Sequence, residues 1–190
     1  MTDEQPRGPS RSAEDLLDAG LEILAQSGIR QLTIDALCRR LSVTKGSFYH
    51  HFRNRREFLE RLLGHWTERW THAYIVDESS GLSAAERLRA ITDQSQAVPW
   101  ELEVAMRVWA KQDPLALASL ERVDATRMAY LQGIFESLCG DAREAAVQAR
   151  MSYALYVGAR MIAPPLTEAQ RREMADLLQQ DFYGTETSGT

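Results

Sequence analysis

Three observations predict an all-α protein. Apolar residues recur at spacings of three and four along almost the whole chain, no stretch sustains a strand alternation, and good helix-capping residues stand just before the apolar periodic segments. The first helix opens at Ser12, with Asp15 three residues on as a capping-box acid, carries Leu16, Leu17, Leu21, Ile23 and Leu24, and stops at Gly28. Thr33 caps a second helix that buries Ile34, Leu37, Cys38 and Leu41, and Ser42, Val43 and Thr44 make a tight turn. Thr44 caps a third helix in which Phe48 and Phe52, four apart, face the core and leave Lys45, Ser47, Tyr49 and His50 on the other faces.

Asn54 caps a long fourth helix running through Phe58, Leu59, Leu62, Trp66 and Trp70 towards Tyr74. Residues 77–82 form the clearest break, and Ser83 with Glu86 starts the next helix. Pro99 and Pro114, the latter preceded by Asp113 as cap, take first-turn positions of two further helices, the second closed by Cys139-Gly140. The last two helices span about 141–162 and 167–182, separated by Pro164-Pro165. Residues 1–11 and 184–190 are rich in Pro, Gly, Ser and Thr and read as frayed ends.

The length of 190 residues, with 44% hydrophobic and 26% charged residues, is that of an ordinary globular protein with a real core. No apolar run reaches the roughly 20 residues needed to cross a bilayer, and the polar start MTDEQPRGPSRS lacks an apolar signal centre, so a cytoplasmic protein is expected. Cys38 and Cys139 have no CxxC partner, which argues for reduced thiols. His65 and His72, seven apart, lack a third ligand at metal spacing, so neither a metal nor a cofactor is expected.

Charge is distributed unevenly. From Arg30 to Arg56 seven basic residues face one acid, Asp35, a local charge of +6 in a chain of net charge −5, so the remainder carries −11. A basic island on two short helices joined by a turn suits the phosphate backbone of DNA. Gly46 allows close approach of the third helix to phosphate or base edges, Lys45 and Arg55 neutralise phosphate or donate to guanine, and Ser47, Tyr49 and His50 hydrogen-bond to either. Arg7 and Arg11 in the frayed start are cations that can touch the same partner.

The run LTIDALCRRLSVTKGSFYHHFRNRREFLERL, residues 32–62, resembles the DNA-binding segment of the tetracycline-repressor (TetR) family of bacterial regulators, with its Val-x-x-Gly-x-x-Tyr-x-x-Phe core present as Val43, Gly46, Tyr49 and Phe52. The resemblance is specific over residues 11–62 and beyond that extends only to length and helical layout. It implies a homodimer that binds a palindromic double-stranded operator, usually as a repressor, and leaves it when a small molecule enters the second domain. By position it implies phosphate contacts at Thr33 and Thr44, a groove-facing set of Lys45, Gly46, Ser47, Tyr49 and His50, and a cation capping the contact surface at Arg55. Two positions depart from the common pattern: Ser42 stands where Gly is frequent, which predicts mild strain in a left-handed turn, and Cys38 stands where Ala is usual.

The expected organisation is a helix-turn-helix domain over 11–56 and a helical ligand-binding and dimerisation domain over 57–190. In the second domain Trp66, Trp70, Trp100, Met106, Trp109, Tyr130, Tyr153 and Tyr156 are either plain core or the walls of a ligand pocket for an apolar or amphipathic molecule. No basic cluster suited to a multiply charged ligand is evident there. Asp124 and Arg127, three apart, are expected as a solvated pair, the alternative being pocket lining. Ala142, Ala145, Ala146, Ala149, Ala154 and Gly158 give one helix a small-residue surface, and the dimer interface is expected at Ala145, Ala149, Tyr153, Met174 and Leu177. No nucleophile–base pair, paired-carboxylate arrangement or phosphate-cradling glycine loop stands out, so a regulator is favoured over an enzyme or an interaction module without DNA binding.

Overall fold

The structure, a computed structural model, describes residues 12–71, 75 and 81–183. The expected frayed ends, with Arg7 and Arg11, lie outside the described residues, as do His72, Tyr74 and most of the break at 77–82. The described residues form nine α-helices and no strand: α1 Ala13–Ser27, α2 Ile34–Leu41, α3 Lys45–His51, α4 Arg55–Trp70, α5 Ala84–Ala97, α6 Trp100–Ala110, α7 Pro114–Cys139, α8 Ala142–Met161 and α9 Glu168–Tyr183.

The boundaries follow from side chains that satisfy the orphan N–H groups of each first turn. Ser12 with Asp15 and Ser83 with Glu86 make reciprocal capping boxes. Thr33, Thr44, Asn54, Asp113 and Asp141 each accept a backbone N–H of the helix they precede. Thr167 and Gln170 bond each other's backbone at the start of α9. Pro99 departs from expectation: it is the N-cap residue of α6, not a first-turn residue, and leaves that cap without a side-chain acceptor. Gly140, at φ 70°, ends α7 in the left-handed conformation that glycine adopts without strain.

Two apolar cores result. The larger is continuous from α1 through α4 into α6 and the first half of α7, with Leu16, Leu24, Phe48, Phe58, Trp66 and Trp109 nearly inaccessible. The smaller joins Leu88 of α5, Ile134 and Phe135 of α7, and Ala145 and Ala149 of α8. Helix α1 packs on α2, on α4 and, most extensively, on α6, so the N-terminal bundle is docked directly onto the second half of the molecule. Gly20 permits this arrangement, because a Cβ there would stand 2.8 Å from the Phe58 ring and 3.0 Å from Leu62.

Candidate nucleic-acid interface and internal cavity

Helices α2 and α3 are joined by Ser42-Val43-Thr44, and Ser42 takes φ 55°, ψ 42°, the left-handed conformation expected at this turn and unfavourable for a residue with a Cβ. Phe48 and Phe52 are buried among Phe58 and each other, with ring centroids 5.1 to 5.5 Å apart, which fixes the rotation of α3 about its axis. Arg61 of α4 locks the far end of α3 by donating to the His51 carbonyl at 3.2 Å and lying over the Phe52 ring. With that rotation set, Lys45, Gly46, Tyr49 and His50 are exposed and Ser47 is half-buried. Tyr49 is 53% exposed, a large side chain whose ring stands at 87° to that of Phe48.

Thr33 and Thr44 are exposed, and their oxygens accept the N–H groups of Ala36 and Ser47 at 3.1 and 3.2 Å, so each hydroxyl proton remains available to an outside acceptor. At Gly46 a Cβ would meet only the Thr44 oxygen at 3.5 Å, an ordinary contact, so packing within the chain does not require glycine there. The cations of the basic island are mostly engaged at the surface. Arg40 pairs with Glu22, Lys45 with Asp35 at 2.8 Å, Arg53 with Glu57 and Arg56 with Glu60, while Arg55 donates to the Leu32 carbonyl at 3.3 Å. Such exposed pairs contribute little and exchange readily for another anion. Their acids Glu22, Glu57 and Glu60 lie outside the window over which the charge sums to +6, so sequence spacing alone understates the local compensation. The Cys38 thiol is buried and free, and burial followed by the nearby Asp35 pushes it above its ordinary value.

A partly open cavity of about 110 Å³ lies between α4, α5, α7, α8 and α9. Of the eight residues expected to line one, Trp70, Tyr130, Tyr153 and Tyr156 do so. Trp66, Met106 and Trp109 do not: at 0%, 0% and 1% exposure they fill the larger core. Trp100, in the first turn of α6, also lies away from the cavity wall. Helical spacing cannot separate these two groups, since both require the same apolar face.

Behind the cavity sits a buried charge network that corrects the expectation for Asp124 and Arg127. They do not pair with each other on a wet surface. Arg107 binds Glu103 at 2.9 Å and Asp124 through two N–H groups at 3.0 and 3.1 Å, and Tyr153 donates to Asp124 at 2.6 Å. Arg127 donates to Glu103 at 3.1 Å and to the Trp70 carbonyl at 2.9 Å, and the Tyr156 hydroxyl reaches Glu103 at 3.3 Å. Glu103 is only 1% exposed, so its charge is tolerable because both arginines compensate it. Burial opposes the charge on Arg107 and Arg127, yet hydrogen bonds and nearby acidic oxygens outweigh it and hold both above their ordinary values. Burial first, then Glu103, pushes the Tyr156 phenol up to about 12.

The cavity wall also carries Arg127, Arg160 and Arg171, so the expectation of no basic cluster in this half is overturned. Arg160 and Arg171 stand on different helices, and only the α8–α9 hairpin brings them together. The expected interface changes as well. Ala145 and Ala149, at 0% and 1% exposure, pack inside the protomer against Leu88 and Phe135, and Tyr153 faces the cavity, so none of the three is available to a second copy. Met174 is half-buried and Leu177 is 73% exposed. The apolar surface that α8 leaves outward is instead Val147, Met151, Ala154, Gly158 and Met161, one face at helical spacing, with open space at the Gly158 Cβ position.

Among the described residues no helix is long and apolar enough to cross a membrane, and no group of three His, Cys, Asp or Glu side chains could hold a metal ion. The arrangement of α1 to α3 defines a helix-turn-helix protein. Residues 16–62 match the family model of bacterial regulatory proteins, tetR family. The chain is 32% identical over 98 residues to the transcriptional regulator AcuR of Cereibacter sphaeroides, covering 48% of this chain and 44% of that protein. It is 31% identical over 97 residues to the HTH-type transcriptional regulator BetI of Escherichia coli, covering 50% of this chain and 49% of that protein. It thus spans about half the length of the curated relatives it matches. Among solved structures, a transcriptional regulator from Rhodococcus sp. Rha1 superimposes with a TM-score of 0.70 at 20% identity, covering 91% of this chain and 98% of that one. A transcriptional regulator from Saccharomonospora viridis in complex with choline does so with a TM-score of 0.73 at 12% identity, covering 88% and 95%. At these identities the likeness is one of fold. The N-terminal segment, residues 16–62, is thus that of the tetR family of bacterial regulatory proteins.

Proposed function

We propose that this chain is a cytoplasmic, non-enzymatic transcription regulator that binds a palindromic operator as a homodimer, acts as a repressor and is released when a small molecule enters the cavity. The observation that carries this reading is the outward face of α3, where Lys45, Gly46, Tyr49 and His50 stand exposed beside a buried phenylalanine pair that fixes their direction. In it residues 11–56 are the DNA-binding unit and 57–190 the effector and dimerisation unit. Thr33, Thr44 and Arg55 contact phosphate, and Lys45, Gly46, Ser47, Tyr49 and His50 face the groove. The second copy packs on the outward face of α8 and on α9 around Met174 and Leu177, where a C2 pairing would bury the exposed apolar stripe.

Coupling is supported by Arg127. It faces the cavity, donates to Glu103 of α6 and grips the carbonyl of Trp70 at the end of α4. Helix α6 packs on α1 and α4 leads back to α3, so a ligand that moves Arg127 bears on both routes to the DNA-binding bundle. To lower operator affinity a hundredfold the ligand must favour the non-binding state by about 2.7 kcal/mol, within ordinary coupling energies. Footprinting on the DNA upstream of its own gene tests the proposal. Two protected half-sites about 34 Å apart, or a multiple, on one face of the duplex are expected, with binding that weakens steeply as salt rises. A chain that is monomeric in sedimentation and protects no site would overturn it.

A further inference from the structure

The cavity has an uneven charge balance. Glu103 and Asp124 are neutralised by Arg107 and Arg127, which leaves Arg160 and Arg171 on the wall without any carboxylate partner among the described residues. Arg160 is 5% exposed, donates to the backbone carbonyls of Ser95 at 2.6 Å and Tyr156 at 2.9 Å, and lies 3.8 Å from the centre of the Tyr156 ring. Those two bonds use only part of a guanidinium's five donors. Its Nε is buried without a partner, as are the Nε of Arg171 and the hydroxyl of Ser152, and all three residues line the same space. Burial pushes Arg160 below its ordinary value, against the opposing pull of Tyr156 and the nearby Glu103. Uncompensated donors of this kind are costly in the empty site, and an anion accepting from them would remove that cost.

The remaining wall is apolar: Ile91, Val98, Leu131, Leu155 and Leu178 surround the tyrosines. At roughly 10–15 Å³ for each water-sized position, about 110 Å³ holds a molecule of roughly seven to eleven non-hydrogen atoms. We infer that the ligand of this cavity is a small monocarboxylic acid with an apolar body, its carboxylate held by Arg160 and Arg171 with Ser152, and not a neutral molecule or a cation. The inference rests on the reading of the cavity as the effector site. A quaternary ammonium such as the choline bound to the Saccharomonospora viridis regulator would meet unpaired cations here.

Calorimetric titration of the full chain with benzoate, benzamide, hexanoate, hexanamide and choline tests this. At least one acid should bind about tenfold or more tightly than its amide and than choline. Arg160→Gln and Arg171→Gln should each remove that preference while leaving amide affinity within about threefold. If the buried Arg160 proves necessary for folding, Arg171→Gln and the wild-type acid–amide comparison still decide. Amides that bind as tightly as their acids in both pairs, choline binding more tightly than either acid, or neither acid binding would overturn the inference. An acid that binds through these arginines yet leaves operator affinity unchanged sustains it and sinks the effector reading. A neutral compound that releases the operator from the cavity does the reverse.

Discussion

The N-terminal bundle and the cavity-bearing half handle charge in opposite ways. Around α2 and α3 the core is purely apolar, and ion pairs such as Lys45–Asp35 and Arg53–Glu57 lie in water, where the cation can exchange its carboxylate for a phosphate with little loss. Around the cavity the ions are inside: Glu103 is 1% exposed and its two arginines are 12% and 14% exposed at the side chain. There an exchange leaves an orphaned charge in a poor solvent. On the proposed function, the first region meets an outside partner without changing shape, and the second changes state when a ligand alters its internal balance.

The sharpest break in this comparison comes from matched substitutions in the two regions. Arg127→Gln removes one of the two cations that compensate a buried carboxylate and should lower stability by about 3 kcal/mol in urea denaturation. Arg53→Gln removes an exposed partner and should leave the urea midpoint unresolved from wild type. Equal losses in the two variants would erase the distinction. Next in size is Gly20→Ala at the seam where α1 meets α4. Its Cβ would press on Phe58 at 2.8 Å and on Leu62, and overpacking of this kind costs about 1–3 kcal/mol. No loss in thermal stability would mean the seam is looser than the distances indicate.

Legibility followed the same division. The three N-terminal helices, their caps and the facing of Phe48 and Phe52 were readable because each depends on neighbours within a turn or two, which sequence spacing encodes directly. Ser42 was readable for the same reason, as a left-handed turn residue without the freedom of glycine. The cavity was only half readable. Trp66 and Trp70 stand one turn apart on α4, yet one fills the core and the other lines the cavity. Which is which depends on the position of α8 and α9, distant in sequence. The small residues of α8 misled in a similar way: Ala145 and Ala149 admit α5 and α7 of the same chain, and the outward stripe lies on the opposite face. Glu103, the pivot of the buried network, carried no local signal beyond an Arg four residues on.

Smaller effects sharpen the picture of the N-terminal bundle. Ser42→Gly should stabilise the chain by about 1 kcal/mol in thermal denaturation, since glycine adopts φ 55° without the Cβ penalty. The smallest is a pH effect at the caps. Hydrogen bonds from Arg53 to Glu57 and from Ser83 to Glu86 hold both carboxyls below the ordinary glutamate range. Their contribution is complete above the unfolded pKa and is lost as pH falls through the lower folded values, so Glu86→Gln should flatten the acid limb of the stability curve slightly. An acid limb identical to wild type would show that this cap is not holding its proton balance.

On the proposed function the outward face of α3 serves a partner and not the fold, and Tyr49→Ala examines this most directly. Tyr49 is 53% exposed beside the buried phenylalanines, so truncation removes little core. Fluorescence anisotropy with DNA from upstream of the gene, read beside a thermal melt, should show binding weakened by about 1–3 kcal/mol and a melting midpoint close to wild type. Unchanged DNA affinity, or a loss of affinity that merely tracks a loss of folding, would contradict it.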